Sequence, residues 1–325
     1  MEYRTLTGTG ATVSRLSLGT YFTFGGQLSE EDAIRLVHRA LDAGVTFFDT
    51  ADVYGQGAAE TILGKALRGR RDGVVLASKV RGRIGPHAHK DVGLSRWHVI
   101  RGVEASLRRL GTDCLDICYF HAPDPNAPLE ESLAAADLLV RQGKVLYLGL
   151  SNYAGWQVGQ ARYLAERHGY ARPVVTQVIY NLLNRAIESE FLPFCQASGV
   201  GVTVYSPLSA GLLTGKHRPG APPAGGTRFE MSQDYYQRYW REANFSAVAA
   251  LTEIAQQAGL SLLSLALRWL AHQPAVDSII IGASNLAQLQ ENLGAWEGPL
   301  DEATVQACDR VWQAIPTGAV FRYNR

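Results

Sequence analysis

The chain has 325 residues, with 31 Lys and Arg against 30 Asp and Glu, for a net charge of +1. That length can bury a sizeable core, and the balanced charge argues against duplex DNA or an anionic membrane surface as a partner. No run approaches the roughly 18 apolar residues of a membrane span, and Met1 leads straight into "EYRTL" rather than an apolar signal segment; a cytoplasmic protein is expected.

Taken in chain order, short apolar β-branched runs alternate with longer amphipathic segments. "EYRTLTGTGATVS" alternates around a Gly turn and reads as a small hairpin closing the bottom of a barrel. "RLSLG" (15–19) precedes a helix from about Ser29, whose Ala33, Ile34, Val37 and Leu41 fall at helical spacing. "VTFFD" (45–49) is followed by "AAETILGKAL". "VVLASK" (74–79) leads to "SRWHVIRGVEASLRRL", with Ser95 as N-cap. "CLDICYFH" (114–121) precedes "PLEESLAAADLLVRQG", with Pro128 near the first turn and Gly143 near the end. "VLYLGLSN" (145–152), "PVVTQV" (173–178), "GVTVYSP" (201–207) and "DSIIIGAS" (277–284) continue the series.

Eight nearly continuous apolar runs suit strands buried on both faces of a parallel sheet. The fold class expected is α/β, a (β/α)8 TIM barrel spanning 1–325 as a single domain, with loop insertions on the C-terminal side. The surplus chain lies in 208–245, where "RPGAPPAGG" is a loop and "QDYYQRYW" reads as a lid, a protein contact or a packed surface helix, the last favoured. A doubly wound sheet is the runner-up, but "GTGATV" has Val13 where the dinucleotide fingerprint needs its third glycine.

Chemistry in such barrels sits at the C-terminal strand ends. Those ends carry Asp49, Lys79, His121, Ser151–Asn152, Gln177, Tyr205–Ser206 and Gly282, with Tyr54 just past the first. A phenol is a poor acid at neutral pH. A nearby ammonium lowers its pKa, a carboxylate holds that ammonium charged, and an imidazole orients a carbonyl oxygen. Such a site protonates a developing alkoxide.

From "SLGTYFTFGG" through "FFDTADVYG", "ASKVRG", "DICYFHAPDP", "GKVLYLGLSNY" and "YSPLSAGLLTGK" to "IIIGASNLAQLQENLGA", the chain resembles an aldo-keto reductase. "GTYFTFGGQ" and "IGASNLAQLQEN" resemble especially the branch holding the voltage-gated potassium channel β-subunits and their bacterial relatives. The resemblance implies a catalytic tetrad of Asp49, Tyr54, Lys79 and His121 and an NADPH cofactor that reduces a small-molecule aldehyde or ketone, NADH being the less favoured donor. It places Ser151, Asn152 and Gln177 on the carboxamide, Tyr205 under the nicotinamide ring, and Asp49, Thr20, Tyr21 and Gln27 at the cofactor or pocket. Ser206, Pro207, Leu208, Lys216 and Arg228 fall on the pyrophosphate loop. Gly282, Ser284, Gln288, Glu291 and Asn292 fall at the adenosine and 2'-phosphate end. Many relatives have a Lys after the last strand; here that position falls near Gly282–Ala283, so phosphate preference rests on Ser284, Gln288, Lys216 or Arg228. The competing expectation is a β-subunit-like protein that senses nicotinamide redox state and docks on a partner. A homo-oligomer stays open.

Other signals read as structural. Cys114, Cys118, Cys195 and Cys308 have no metal-ligand spacing and are expected as small buried apolar residues. "GLLTGKH" has three residues, not four, between Gly211 and Gly215, so it is not a nucleotide triphosphate loop. His87 and His89 lack a third ligand, and no metal is expected.

Overall fold

Val, Ile, Leu and aromatic residues concentrate in runs of about six because side chains branched or flat at Cβ pack well on a pleated surface covered on both faces. In the computed structural model, which describes residues 1–316, these runs become strands. Two of them, β1 (Tyr3–Thr5) and β2 (Thr12–Ser14), form an antiparallel hairpin. The next four are β3 (Leu16–Gly19), β4 (Phe47–Asp49), β5 (Val75–Val80) and β6 (Leu115–Phe120). The last four are β7 (Val145–Ser151), β8 (Pro173–Ile179), β9 (Gly201–Tyr205) and β10 (Ser278–Ile281). From β3 to β10 every neighbouring pair is parallel, and β10 closes on β3. This is a (β/α)8 barrel.

Helices alternate with the strands: α1 (Glu30–Asp42), α2 (Ala58–Ala66), α3 (Arg96–Leu110), α4 (Leu129–Arg141), α5 (Gly155–His168) and α6 (Phe191–Ser198). Between β9 and β10 lie α7 (Arg228–Met231), α8 (Gln233–Tyr239), α9 (Glu242–Gln257) and α10 (Leu262–His272). α11 (Leu286–Ala295) and α12 (Glu302–Ala314) follow the last strand. Ser95 caps α3 as its sequence suggests, accepting from His98 N at 3.3 Å. Among the described residues no single helix is long and apolar enough to cross a membrane.

The barrel interior is filled from below. Leu6 and Val13 of the hairpin pack with Phe47, Ala77, Ile117, Tyr119 and Val175, all fully buried. Burying each such large side chain contributes about 1.5–3 kcal/mol. Asp277, just before β10, fastens the hairpin to the barrel by accepting from Thr7 Oγ1 at 2.9 Å and Val202 N at 2.9 Å. With the lower end plugged, the C-terminal rim is the end of the barrel that opens to a cleft.

Candidate active site

Asp49 ends β4 and Lys79 is the penultimate residue of β5; they are 3% and 1% exposed. Lys79 Nζ donates to Asp49 Oδ1 and, at 3.0 Å, to the Thr50 carbonyl. The second carboxylate oxygen accepts from Gln177 Nε2 at 2.7 Å. Both oxygens of Asp49 are therefore engaged, as a buried ion pair requires if it is to offset its desolvation.

Past β4 the chain turns through Tyr54–Gly57, where Gly55 (φ 55°) and Gly57 (φ 90°) are left-handed. At Gly55 a Cβ would stand 3.1 Å from the Phe24 carbonyl, so the turn needs glycine for its space as well as its φ. This turn aims the Tyr54 ring into the rim. Lys79 Nζ lies 5.0 Å from its centroid. The His121 ring stands edge-on at 5.7 Å and Tyr21 at 4.6 Å.

The sequence leads one to expect a lowered phenol pKa, and here the structure differs. Burial pushes the Tyr54 hydroxyl well above its usual 10, and the Asp49 carboxylate adds to the effect. The Lys79 charge that should lower it is already engaged by Asp49. Tyr54 is thus a neutral phenol at physiological pH, the form that can donate a proton. Burial, then the Lys79 and Arg81 cations, pulls His121 down to about 3, so its imidazole is uncharged as well. Burial likewise lowers Lys79, opposed chiefly by Asp49.

These groups open onto a cleft of about 650 Å³. Asn152, left-handed at φ 62°, donates through Nδ2 to the His121 carbonyl at 2.9 Å and accepts from Tyr205 Oη at 2.8 Å. Ser206 (φ 56°) and Ala210 (φ 60°) are also left-handed. Strain of this kind costs on the order of 1–3 kcal/mol per residue and gathers at ligand clamps. Farther along, a Cβ at Gly282 would sit 3.0 Å from Arg228 Nη2, and one at Gly211 3.2 Å from Lys216 Cε. A side chain at either glycine would fill a cradle lined by a cation. Ser284 N and Oγ both donate to Gln288 Oε1, at 3.0 and 2.8 Å, where α11 begins. A flat ring platform, amide groups and two cations beside bare glycine backbone fit a dinucleotide with its phosphates.

The cleft brings together Tyr21, Gln27, Asp49, Tyr54, His121, Ser151, Asn152 and Gln177 with Tyr205, Ser206, Pro207, Leu208, Lys216 and Arg228. Gly282, Ser284, Gln288, Glu291 and Asn292 line its other end. Lys79 lies beneath the wall, reaching the site through Asp49. Thr20 is fully buried between the cleft-lining Gly19 and Tyr21, its hydroxyl bonded to Thr50 Oγ1 at 2.9 Å. Gln27 Nε2 donates to the Gly226 carbonyl at 2.8 Å and so ties the inserted loop to the rim.

Sequence reasoning missed Val53, Thr227, Asp234, Tyr235 and Arg238, which also line the cleft. The one signal was "QDYYQRYW": α8 packs as expected, with Tyr235 and Tyr239 buried, yet it also forms a wall. Among the described residues no group of three or more His, Cys, Asp or Glu is placed to hold a metal ion.

A model of the aldo/keto reductase family matches residues 15–313. A probable voltage-gated potassium channel subunit beta of Oryza sativa subsp. japonica is 40% identical over 302 residues, covering 91% of this chain and 91% of its own length. One from Arabidopsis thaliana is 39% identical over 307 residues, at 91% of each chain. A putative subunit of the same description from Schizosaccharomyces pombe is 36% identical over 333 residues, covering 100% of this chain and 96% of its own.

Proposed function

This chain belongs to the aldo/keto reductase family, and from that premise we propose that it reduces an aldehyde or ketone to the alcohol with NADPH. The family supports a nicotinamide-dependent oxidoreductase in general. The observation that carries the finer reading is the buried Lys79–Asp49 pair beneath a neutral Tyr54 phenol, with neutral His121 on the same rim. When bound, NADPH supplies the hydride to the carbonyl carbon. Tyr54 donates its hydroxyl proton to the carbonyl oxygen as negative charge grows there. Lys79 stabilises the phenolate left behind, and Asp49, itself held by Gln177, keeps Lys79 in place. His121 orients the carbonyl oxygen without adding a charge. Most of the rate comes from holding two reactants in line within the cleft and stabilising the developing alkoxide. A panel of carbonyl compounds, followed by loss of NADPH absorbance, tests this; no turnover of any member would remove it.

Ser151, Asn152 and Tyr205 are assigned to the nicotinamide end, and Lys216 with Ser206, Pro207 and Leu208 to the pyrophosphate. The 2'-phosphate is assigned to Ser284, Gln288 and Arg228. Backbone N–H groups at the start of α11 favour an anion, and Arg228 supports the assignment by reaching Gly282. Replacing Ser284 and Gln288 by alanine should weaken NADPH binding about ten- to a hundredfold and hardly touch NADH. Arg228→Ala should do the same by losing a charge-assisted contact. Calorimetric titration of each variant with both cofactors checks this, and equal losses for NADPH and NADH would place the phosphate elsewhere.

A second reading is favoured by the relatives' descriptions: a protein that senses nicotinamide redox state and docks on a partner. It uses the same cofactor cleft. It differs in predicting slow or no turnover of every carbonyl compound.

A further inference from the structure

His121 is tethered from three sides, and one tether comes from a residue that the reduction above does not use. Its own N–H donates to the Val80 carbonyl at 3.1 Å, and its carbonyl accepts from Asn152 Nδ2 at 2.9 Å. Two residues on, the Pro123 carbonyl accepts from Arg81 Nε at 3.1 Å. Arg81 directly follows β5. The Gly93 amide donates to the Arg81 carbonyl at 2.9 Å, and the Leu94 amide to Asp124 Oδ2 at 2.7 Å. The loops after β5 and β6 are thus fastened to each other, and the Arg81 side chain crosses between them.

Arg81 holds this place against its backbone preference. Its φ is 152°, a region that residues with a Cβ rarely occupy and that persists only where the surroundings fix it. Its side chain is also a charge near the imidazole. Facing the His121 ring are Tyr54 from the turn after β4, at 5.7 Å, and the Lys79 and Arg81 cations from β5. Lys79 is paired with Asp49. Asp124, on the loop past His121, accepts from the Leu94 and Asn126 amides. On the β7 side burial keeps the Tyr153 phenol neutral, with Arg81 pulling its pKa down and Asp124 pushing it up.

We propose that, on the carbonyl-reductase reading above, Arg81 is a positioning residue: it pins the chain that carries His121 and sets a fixed positive charge beside the imidazole. The pin keeps the ring aimed at the carbonyl oxygen. The charge works with burial and Lys79, the two larger causes, to keep a second proton off the ring. A neutral imidazole has one N–H to donate to that oxygen, and Tyr54 remains the group that gives up its proton.

The test uses three variants: Arg81→Leu removes both functions, Arg81→Gln keeps a donor for Pro123 and loses the charge, and Arg81→Lys keeps the charge. The His121 ring is followed by NMR, its signal assigned by its loss in His121→Gln. In the wild type the ring should titrate at about 3 and be neutral at pH 4.5. Removing one nearby like charge should raise that midpoint by roughly one unit, leaving about a quarter of the rings charged at pH 4.5 in Arg81→Gln and few in Arg81→Lys. With benzaldehyde and NADPH at pH 7, kcat should fall about tenfold in Arg81→Leu, because a small misplacement of an orienting group is costly. Arg81→Gln should recover most of that loss. A merely structural role would lower the denaturation midpoint and leave the His121 titration where it was. An unshifted His121 midpoint in Arg81→Gln, or full kcat in Arg81→Leu, overturns the inference alone. If the wild type turns over no aldehyde, the reductase reading falls, and the titration still decides whether Arg81 sets the charge of His121.

Discussion

Replacing Tyr54 by Phe should abolish carbonyl reduction and leave cofactor affinity nearly unchanged. The substitution removes one hydroxyl and keeps the ring that packs beside Tyr21 and His121. A positioned general acid contributes about a hundred- to ten-thousandfold, so kcat should fall by that much. His121, pulled down to about 3, is neutral at physiological pH, and the N–H of a neutral imidazole is far too weak an acid to take its place. Lys79 has its proton bound up with Asp49. Steady-state rates with one aldehyde, beside a fluorescence titration of NADPH, separate the two effects. Full turnover in Tyr54→Phe would mean that another group supplies the proton.

The second large effect is expected from Lys79→Met. Removing one partner of a buried ion pair typically costs about 3–5 kcal/mol, because the other charge stays buried and unpaired. Gln177 would still hold Asp49 Oδ2, but Oδ1 would lose its cation. The denaturation midpoint and kcat should therefore fall together. Adding Asp49→Leu should restore much of the stability and none of the activity, since an apolar pair of similar volume is often neutral. A Lys79→Met protein as stable as the wild type would show that the pair is not the anchor of the site.

The barrel was legible from the spacing of apolar runs alone, because strands covered on both faces cannot hide polar positions. Edges were less so: "VTFFD" gives only Phe47–Asp49 as strand, since Val45 N donates back to the Ala40 carbonyl of α1 and Thr46 N donates to Ser14 Oγ of the hairpin, each at 3.0 Å. Asp49, Lys79 and His121 stood out as charged or ionisable groups directly after apolar runs. The protonation of Tyr54 did not, because its sign is set first by burial, and burial is a property of the packed rim. Arg238 and Tyr235 come from an insertion more than a hundred residues after His121, and no local pattern marks which side of α8 meets the cleft.

Hydride transfer itself is most directly tested in a single turnover. Protein loaded with one equivalent of NADPH, deuterated at the transferring C4 position, is mixed with excess aldehyde, and the products are analysed by mass spectrometry. One deuterium on the carbinol carbon for each cofactor oxidised is expected, and its yield over a short interval should collapse in Tyr54→Phe. A cofactor that stays bound and reduced with every aldehyde tried would contradict a reductase and leave the redox-sensing, partner-docking reading in its place.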